Sequence, residues 1–325
     1  MIIEYSSWER FYIMANKSDS SSSTVTSELL GIGTWAWGDR MTWGFGSDYD
    51  ESDLVSAFNV CVDSGIRLFD TAEVYGNGKS ESILGGLIKT ARKQLKIATK
   101  FMPYPWRLSR RIFWKALEQS LQRLGLKKVD LYQLHWPFPP MPVEYWVDEL
   151  IEAKKRDLVN EVGVSNYDLD QMMRAHERMM NQGVKLATNQ VEYNLLNRKI
   201  EKSGVLKRAG ELGIKIIAYS PLAQGMLTGK YNVDHVPTGT RRWKYSQQFL
   251  AKAKPLIDSL EKIGASRGGK TPSQVALNWI IQKGALPIPG AKTVKQAQEN
   301  VGAINWKLTT QEIELLDDMS NRVLS

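Results

Sequence analysis

Short apolar runs recur along the chain and set its rhythm. They begin near Leu29, Ile66, Leu95, Val129, Val159, Leu186, Ile214 and Ala285, and each is followed by helical periodicity or a capping signal. Runs such as Ile66-Arg67-Leu68-Phe69 and Val129-Asp130-Leu131-Tyr132-Gln133-Leu134 have the length of single β-strands. Between them lie amphipathic segments: Ser109 to Leu124, Val143 to Arg156 and Asp168 to Asn181. Strands alternating with helices make parallel βαβ units. Eight in succession, with no glycine-rich dinucleotide fingerprint after the first, predict an α/β fold: a closed (β/α)8 TIM barrel in a single domain over residues 28–325.

The punctuation agrees. Gly213 closes a helix just before the seventh strand. Thr271-Pro272-Ser273-Gln274 supplies a cap, a proline at the first helical position and a glutamine to complete a capping box, and Thr309 and Glu312 repeat that spacing. From Pro221 to about Ser246 no periodicity is visible, and a long loop is expected. Barrel enzymes place ligand contacts on loops that follow strands, so this segment is a candidate for function. Residues 1–27, with the serine run Ser20 to Ser23, read as a flexible tail. The tail has no continuous apolar stretch of the secretory kind, which favours the cytoplasm, with a plastid transit remnant as the alternative.

Composition narrows the picture further. The 325 residues carry a formal net charge of +8, but Lys and Arg are dispersed rather than gathered in blocks. A nucleic-acid partner is therefore not expected, while the sign suits a phosphate-rich cofactor. No apolar run has the length of a membrane span. A single cysteine, Cys61, excludes a disulfide within the chain and falls on an apolar helical pattern as core. The spacing of His135, His176 and His235 suggests no metal site.

The candidate chemistry gathers at strand ends. Asp70 ends the second run and Tyr75 follows five residues later; Lys100 and His135 end the next two. One rim would thus present a carboxylate, a phenol, an amine and an imidazole. A phenol is a weak acid at neutral pH, and a neighbouring ammonium lowers its pKa. Lys100 is expected to do this for Tyr75, with Asp70 holding the amine charged. His135 is placed to donate to a carbonyl oxygen.

These residues sit within a longer set of motifs. In order, the chain contains Gly31-Ile32-Gly33-Thr34-Trp35, the block Asp70 to Gly76, Ala98-Thr99-Lys100-Phe101 and Asp130 to Trp136. There follow Gly163-Val164-Ser165-Asn166, Asn189 to Asn194, Ala218-Tyr219-Ser220-Pro221-Leu222 and Pro287-Ile288-Pro289-Gly290-Ala291. Together they resemble the aldo-keto reductase family over residues 29 to about 306. The resemblance implies NADPH extended across the C-terminal rim and hydride transfer to an aldehyde or ketone. It makes Tyr75 the proton donor, Lys100 and Asp70 its partners, and His135 the group that orients the carbonyl.

Cofactor contacts follow from the same resemblance. Ser165, Asn166 and Gln190 match residues that bind the carboxamide, and Tyr219 the aromatic that stacks on the nicotinamide. Ser220, Pro221, Leu222, Gly225 and Lys230 resemble the pyrophosphate loop. Gly290, Lys292, Gln296, Glu299 and Asn300 resemble the adenosine-phosphate end, while Gly33, Thr34, Trp35 and Asp70 count among the remaining contacts. Many members carry Lys-Ser and a later Arg near the 2′-phosphate; here Gly290-Ala291 and Gln296 stand there, leaving Lys292 and Arg241 as cations for that charge. The family's N-terminal hairpin, which plugs the barrel bottom, is hard to find before Leu29, which leaves open what closes the barrel there.

Trp35, Trp37, Trp43, Phe45, Phe101, Trp106, Trp136 and Phe138 fall near strand ends, and part of this set is expected to line an apolar substrate pocket. The Gly33 to Gly38, Pro105 to Leu108 and Gly225 to Tyr231 stretches are similar to plant and cyanobacterial members, including those that reduce pyridoxal. That makes pyridoxal one candidate among small carbonyl substrates, for a monomer or weak oligomer. Two other readings compete. Channel-regulating β subunits of the same family keep the cofactor site but typically lack the histidine; His135 favours an enzyme. A Schiff-base hydrolase or aldolase using Lys100 is disfavoured by Asp70 and Tyr75 beside it.

Overall fold

A computed structural model describes residues 24–237 and 245–325. Eight parallel strands form a sheet in strict sequence order: β1 (Gly31–Gly33), β2 (Leu68–Asp70), β3 (Lys96–Phe101), β4 (Val129–Leu134), β5 (Val159–Ser165), β6 (Leu186–Glu192), β7 (Lys215–Tyr219) and β8 (Leu286–Pro287). A parallel bridge between Gly33 and Gly290, with Gly33 N–H donating to the Pro289 carbonyl at 3.0 Å, joins the two edges. The barrel predicted from the eight apolar runs is therefore present, each strand starting within two residues of its expected position.

Helices cover the outside. After β1 come α1 (Arg40–Trp43) and α2 (Glu51–Asp63); after β2, α3 (Lys79–Thr90). Then follow α4 (Arg110–Leu124), α5 (Val143–Lys155), α6 (Leu169–Met180), α7 (Lys199–Lys202) and α8 (Val205–Glu211). The last four are α9 (Gln247–Ser266), α10 (Pro272–Gln282), α11 (Val294–Val301) and α12 (Thr310–Leu324). Their starts are chemically specified. Asp50, Asp168, Thr271 and Thr309 each close a reciprocal capping box with a residue three positions on. The main core lies between helices and strands, where Trp37, Phe58, Phe113, Tyr132, Tyr193 and Trp279 are fully buried. Cys61 belongs to it, and burial pushes its thiol up to about 12. Among the described residues no helix is long and apolar enough to cross a membrane.

The barrel interior is layered. Near the bottom, Leu68, Ala98, Leu131, Ile217 and Leu286 form a separate apolar cluster, and Val25 joins it from below. This answers what closes the barrel. Residues 24–27, expected as the end of the tail, instead contain a 3-10 turn, Val25–Ser27, with Val25 wholly buried. The Val25 N–H donates to Glu161 Oε2 at 2.6 Å, and Lys96 Nζ donates to the Thr24 carbonyl at 2.6 Å. Among the described residues, this single turn with one valine is what lies against the barrel bottom. Its apolar content is too small to stand out from the serine-rich context. The run Ser20 to Ser23 and Arg241 lie outside the described residues.

Above the apolar layer the interior turns polar. Lys100 pairs in register with Gln133, Gln133 with Gly163, and Gly163 with Thr188. This layer sits beneath the C-terminal rim and positions the site.

Candidate active site

Strand ends deliver the expected side chains to one point. Asp70 is the last residue of β2, Lys100 lies near the end of β3, and His135 follows β4 directly. Tyr75 opens a tight 3-10 turn, Tyr75–Gly78, just after β2. Lys100 Nζ donates to Asp70 Oδ1 at 2.5 Å, to the Thr71 carbonyl at 2.8 Å and to the Tyr75 hydroxyl at 3.3 Å. The Tyr75 and His135 rings meet edge to face with centroids 5.7 Å apart. Asp70 Oδ2 accepts from Gln190 Nε2 at 2.9 Å and Gln133 Nε2 at 3.3 Å.

The electrostatics of the phenol differ from the sequence expectation. Lys100 does pull the Tyr75 pKa down, but burial outweighs it and Asp70 adds to the upward push, so the net direction is up. The phenol thus keeps its proton through the neutral range. For Lys100, burial works against the charge, yet Asp70 and Tyr75 prevail and its pKa rises. His135 is driven well below its ordinary value by burial and by the Lys100 charge, which makes it a neutral imidazole. Its Nδ1 is buried without a hydrogen-bond partner among the described residues.

A cleft of about 860 Å³ opens above this cluster. Tyr75, His135, Trp35, Trp43, Met102 and Trp136 line the part near the phenol. Ser165, Asn166, Gln190 and Tyr219 line its centre, where Asn166 is a hub. The Asn166 amide donates to the His135 carbonyl at 3.1 Å and to Ser165 Oγ at 3.0 Å, and accepts from the Tyr219 hydroxyl at 3.0 Å. Gly33, Ser220, Pro221, Leu222, Gly225 and Lys230 continue the wall, followed by Gly290, Lys292, Gln296, Glu299 and Asn300. Backbone strain concentrates here: Asn166, Ser220, Ala223 and Gln224 all have positive φ. A Cβ on Gly225, whose φ is +96°, would lie 2.9 Å from Lys230 Cε, so the glycine lets that lysine lie against the loop. The segment from Pro221, expected as an open loop, contains the 3-10 turn Ala223–Thr228.

Some expectations shift. Thr34 is wholly buried and does not line the cleft; its hydroxyl donates to the Asp70 carbonyl at 3.0 Å and meets Ser80 Oγ at 2.8 Å. Strand β1 ends one residue earlier, and the turn sends this side chain inward. Gln296 lines the cleft yet is already engaged, its Oε1 accepting from the Lys292 N–H at 2.8 Å. Of the aromatic set, Trp35, Trp43 and Trp136 line the cleft, Trp37 and Phe101 are core, and Phe138 stacks on Trp136. Sequence reasoning passed over Met102, Tyr104, Gln224 and Lys295, which also line it. For Met102 and Tyr104 the signal was their position just past β3.

A nucleus of Asp, Tyr, Lys and His on the rim of a barrel, with amides and lysines along a deep groove, invites comparison with known proteins. The model of the aldo/keto reductase family matches residues 29–321. The chain belongs to the aldo/keto reductase family. It is accordingly an oxidoreductase of that family, as its relatives' names also state. Pyridoxal reductase, chloroplastic, from Arabidopsis thaliana is 41% identical over 296 residues, 87% of this chain and 80% of that protein. The NADH-specific methylglyoxal reductase of Escherichia coli is 30% identical over 324 residues, 92% of this chain and 96% of that protein. Among solved structures, an aldo-keto reductase from Klebsiella pneumoniae in complex with NADPH superposes with a TM-score of 0.71 at 27% identity, covering 89% of this chain and 90% of that one. The relatives thus include one solved in complex with NADPH and one named for NADH.

Proposed function

We propose that this aldo/keto reductase uses NADPH to reduce an aldehyde or ketone to the alcohol, with Tyr75 as the proton donor. The observation that carries the proposal is the Tyr75 hydroxyl 3.3 Å from the Lys100 ammonium, at the floor of a cleft shared with His135. The residues present suit the cofactor: Ser165, Asn166 and Gln190 offer amide and hydroxyl groups, and Lys230, Lys292 and Lys295 offer positive charge along one groove. When bound, the cofactor supplies a hydride. Tyr75 and His135 then face the oxygen on which negative charge develops, and donors aimed at developing charge stabilise a transition state. Tyr75 gives up its proton to that oxygen, and the Lys100 ammonium offsets the phenolate left behind. Asp70 keeps the lysine charged and in place.

Pyridoxal is the substrate we favour. The Arabidopsis relative of that name and the aromatic walls Trp35, Trp43 and Trp136, suited to a flat heteroaromatic ring, support it. A chloroplast setting follows the same relative's name. Lysines at the adenosine end favour NADPH over NADH.

The test is a steady-state panel with pyridoxal, 4-nitrobenzaldehyde and aliphatic ketones, run with NADPH and with NADH, and with the alcohol product identified. We expect pyridoxal turnover with NADPH and a poorer rate with NADH. Tight NADPH binding without turnover of any carbonyl would overturn the reading in favour of a cofactor-binding regulatory subunit.

A further inference from the structure

Beneath the rim lies a buried polar chain that the proposed reaction does not itself use. Gln133 is wholly buried and, unlike Gln190, does not line the cleft. Its Nε2 donates to Asp70 Oδ2 at 3.3 Å, and its Oε1 accepts from Thr188 Oγ1 at 3.2 Å. Thr188 is also wholly buried. A buried amide costs stability unless its polar atoms are satisfied, and here each end has one partner. A third strand makes room for the pair. Gly163 lies between Gln133 and Thr188 in register, and a Cβ there would sit 2.1 Å from Thr188 Oγ1 and 3.1 Å from Gln133 Cγ. The β5–β6 register shifts at Val162/Gly163, at the same point. Sequence, register and hydrogen bonding therefore converge on one contact across the barrel interior.

We propose that Gln133, held by Thr188 across the gap left by Gly163, is a positioning residue that fixes the Asp70 carboxylate so that its other oxygen holds the Lys100 ammonium beneath Tyr75. The inference rests on the reductase reading above. Gln133 reaches neither the cleft nor the phenol, so it acts only through Asp70. Gln190, which donates to the same Asp70 oxygen at 2.9 Å, lines the cleft, where it is also proposed to meet the cofactor. Gln133 is the donor on that oxygen that does not line the groove. Fixing a charged partner to within a fraction of an ångström is what such second contacts contribute to a reacting centre.

The experiment is a double-mutant cycle on kcat, with NADPH affinity measured by fluorescence quenching. Q133L removes both hydrogen bonds at similar volume, and T188V removes only the hydroxyl that orients the amide. In the wild-type background we expect kcat to fall about tenfold in Q133L and about threefold in T188V, with NADPH affinity within about twofold of wild type. In the D70N background neither substitution should lower kcat further by more than about twofold, because the path runs through Asp70. The inference is overturned if both variants keep the wild-type kcat, or if each loses the same factor in both backgrounds, the mark of a merely structural residue. Should Q133L fail to fold, T188V alone decides by the same criteria. A wild-type protein that reduces no carbonyl would sink the reductase reading instead, an outcome distinct from an inert Q133L in an active enzyme.

Discussion

At Tyr75 two effects pull the hydroxyl in opposite directions. Burial and the Asp70 charge hold the proton on; the Lys100 ammonium favours its release. The first wins at rest, which is the useful sign for the proton donor proposed here. In the proposed reaction the proton passes to the developing alkoxide because that oxygen is the stronger base, and the Lys100 ammonium offsets the phenolate left behind. The positions of Asp70, Lys100 and His135 were legible because each stands at or just past the end of an apolar run, and Tyr75 because it follows Asp70 on the same strand-end loop. The net direction at Tyr75 was not, since burial is a property of the assembled rim and no spacing reports it. The burial of Thr34 was not legible for a related reason: whether a residue one step past a strand faces the groove or the wall depends on how the turn leaves the barrel. His135 allows a test of this electrostatic picture. Its pKa is depressed in the folded protein, so below the ordinary value of 6.5 the unfolded chain binds a proton that the folded one refuses. Stability from this group is fully present above that value and is lost as pH falls through it. Urea unfolding between pH 7 and 5 should therefore lose up to about 1.4 kcal/mol per pH unit more in wild type than in His135→Gln. Equal slopes would mean that the imidazole is not buried neutral.

Single elements divide the labour between the two ends of the barrel. The eight strands and their capped helices were legible because apolar periodicity and capping boxes are local signals. The closing element was not. Val25–Ser27 is one turn, and its only apolar side chain acquires meaning when Leu68, Leu131 and Leu286 gather around it. The turn is tied down from two strands, by Glu161 on β5 and by Lys96 on β3, which also pairs with Glu28 at 2.6 Å. Val25→Ala removes two buried methyl groups from the bottom of the barrel and should cost about 2 kcal/mol in urea unfolding. Because the rim proposed to be catalytic is at the opposite end, kcat should stay within about twofold of wild type under conditions where both proteins are folded. Unchanged stability would show that the valine does not plug the barrel.

Over the whole molecule, an apolar floor, a polar middle layer and an open groove stack along one axis. The layer of Lys100, Gln133 and Thr188 lies in register between the apolar floor and the groove. The groove extends from Tyr75 past Tyr219 and Gly225 to Lys292 and the start of α11. Its course follows the C-terminal ends of the strands, where barrel folds gather their ligands. Most of the residues lining it were legible from motifs on the loops after strands, whereas Lys295 and Gln224 were not, since their part in the groove depends on how the β7 and β8 loops fold toward each other. Binding in such a groove stabilises the fold by mass action, which provides a control for intact cofactor sites. The most direct measurement compares NADPH-dependent carbonyl reduction by wild type and Tyr75→Phe, after showing that NADPH raises the melting temperature of both equally. The account predicts that Tyr75→Phe loses about 10²–10⁴-fold in kcat while binding the cofactor normally. A Tyr75→Phe protein that reduces the same carbonyl at the wild-type rate would contradict it.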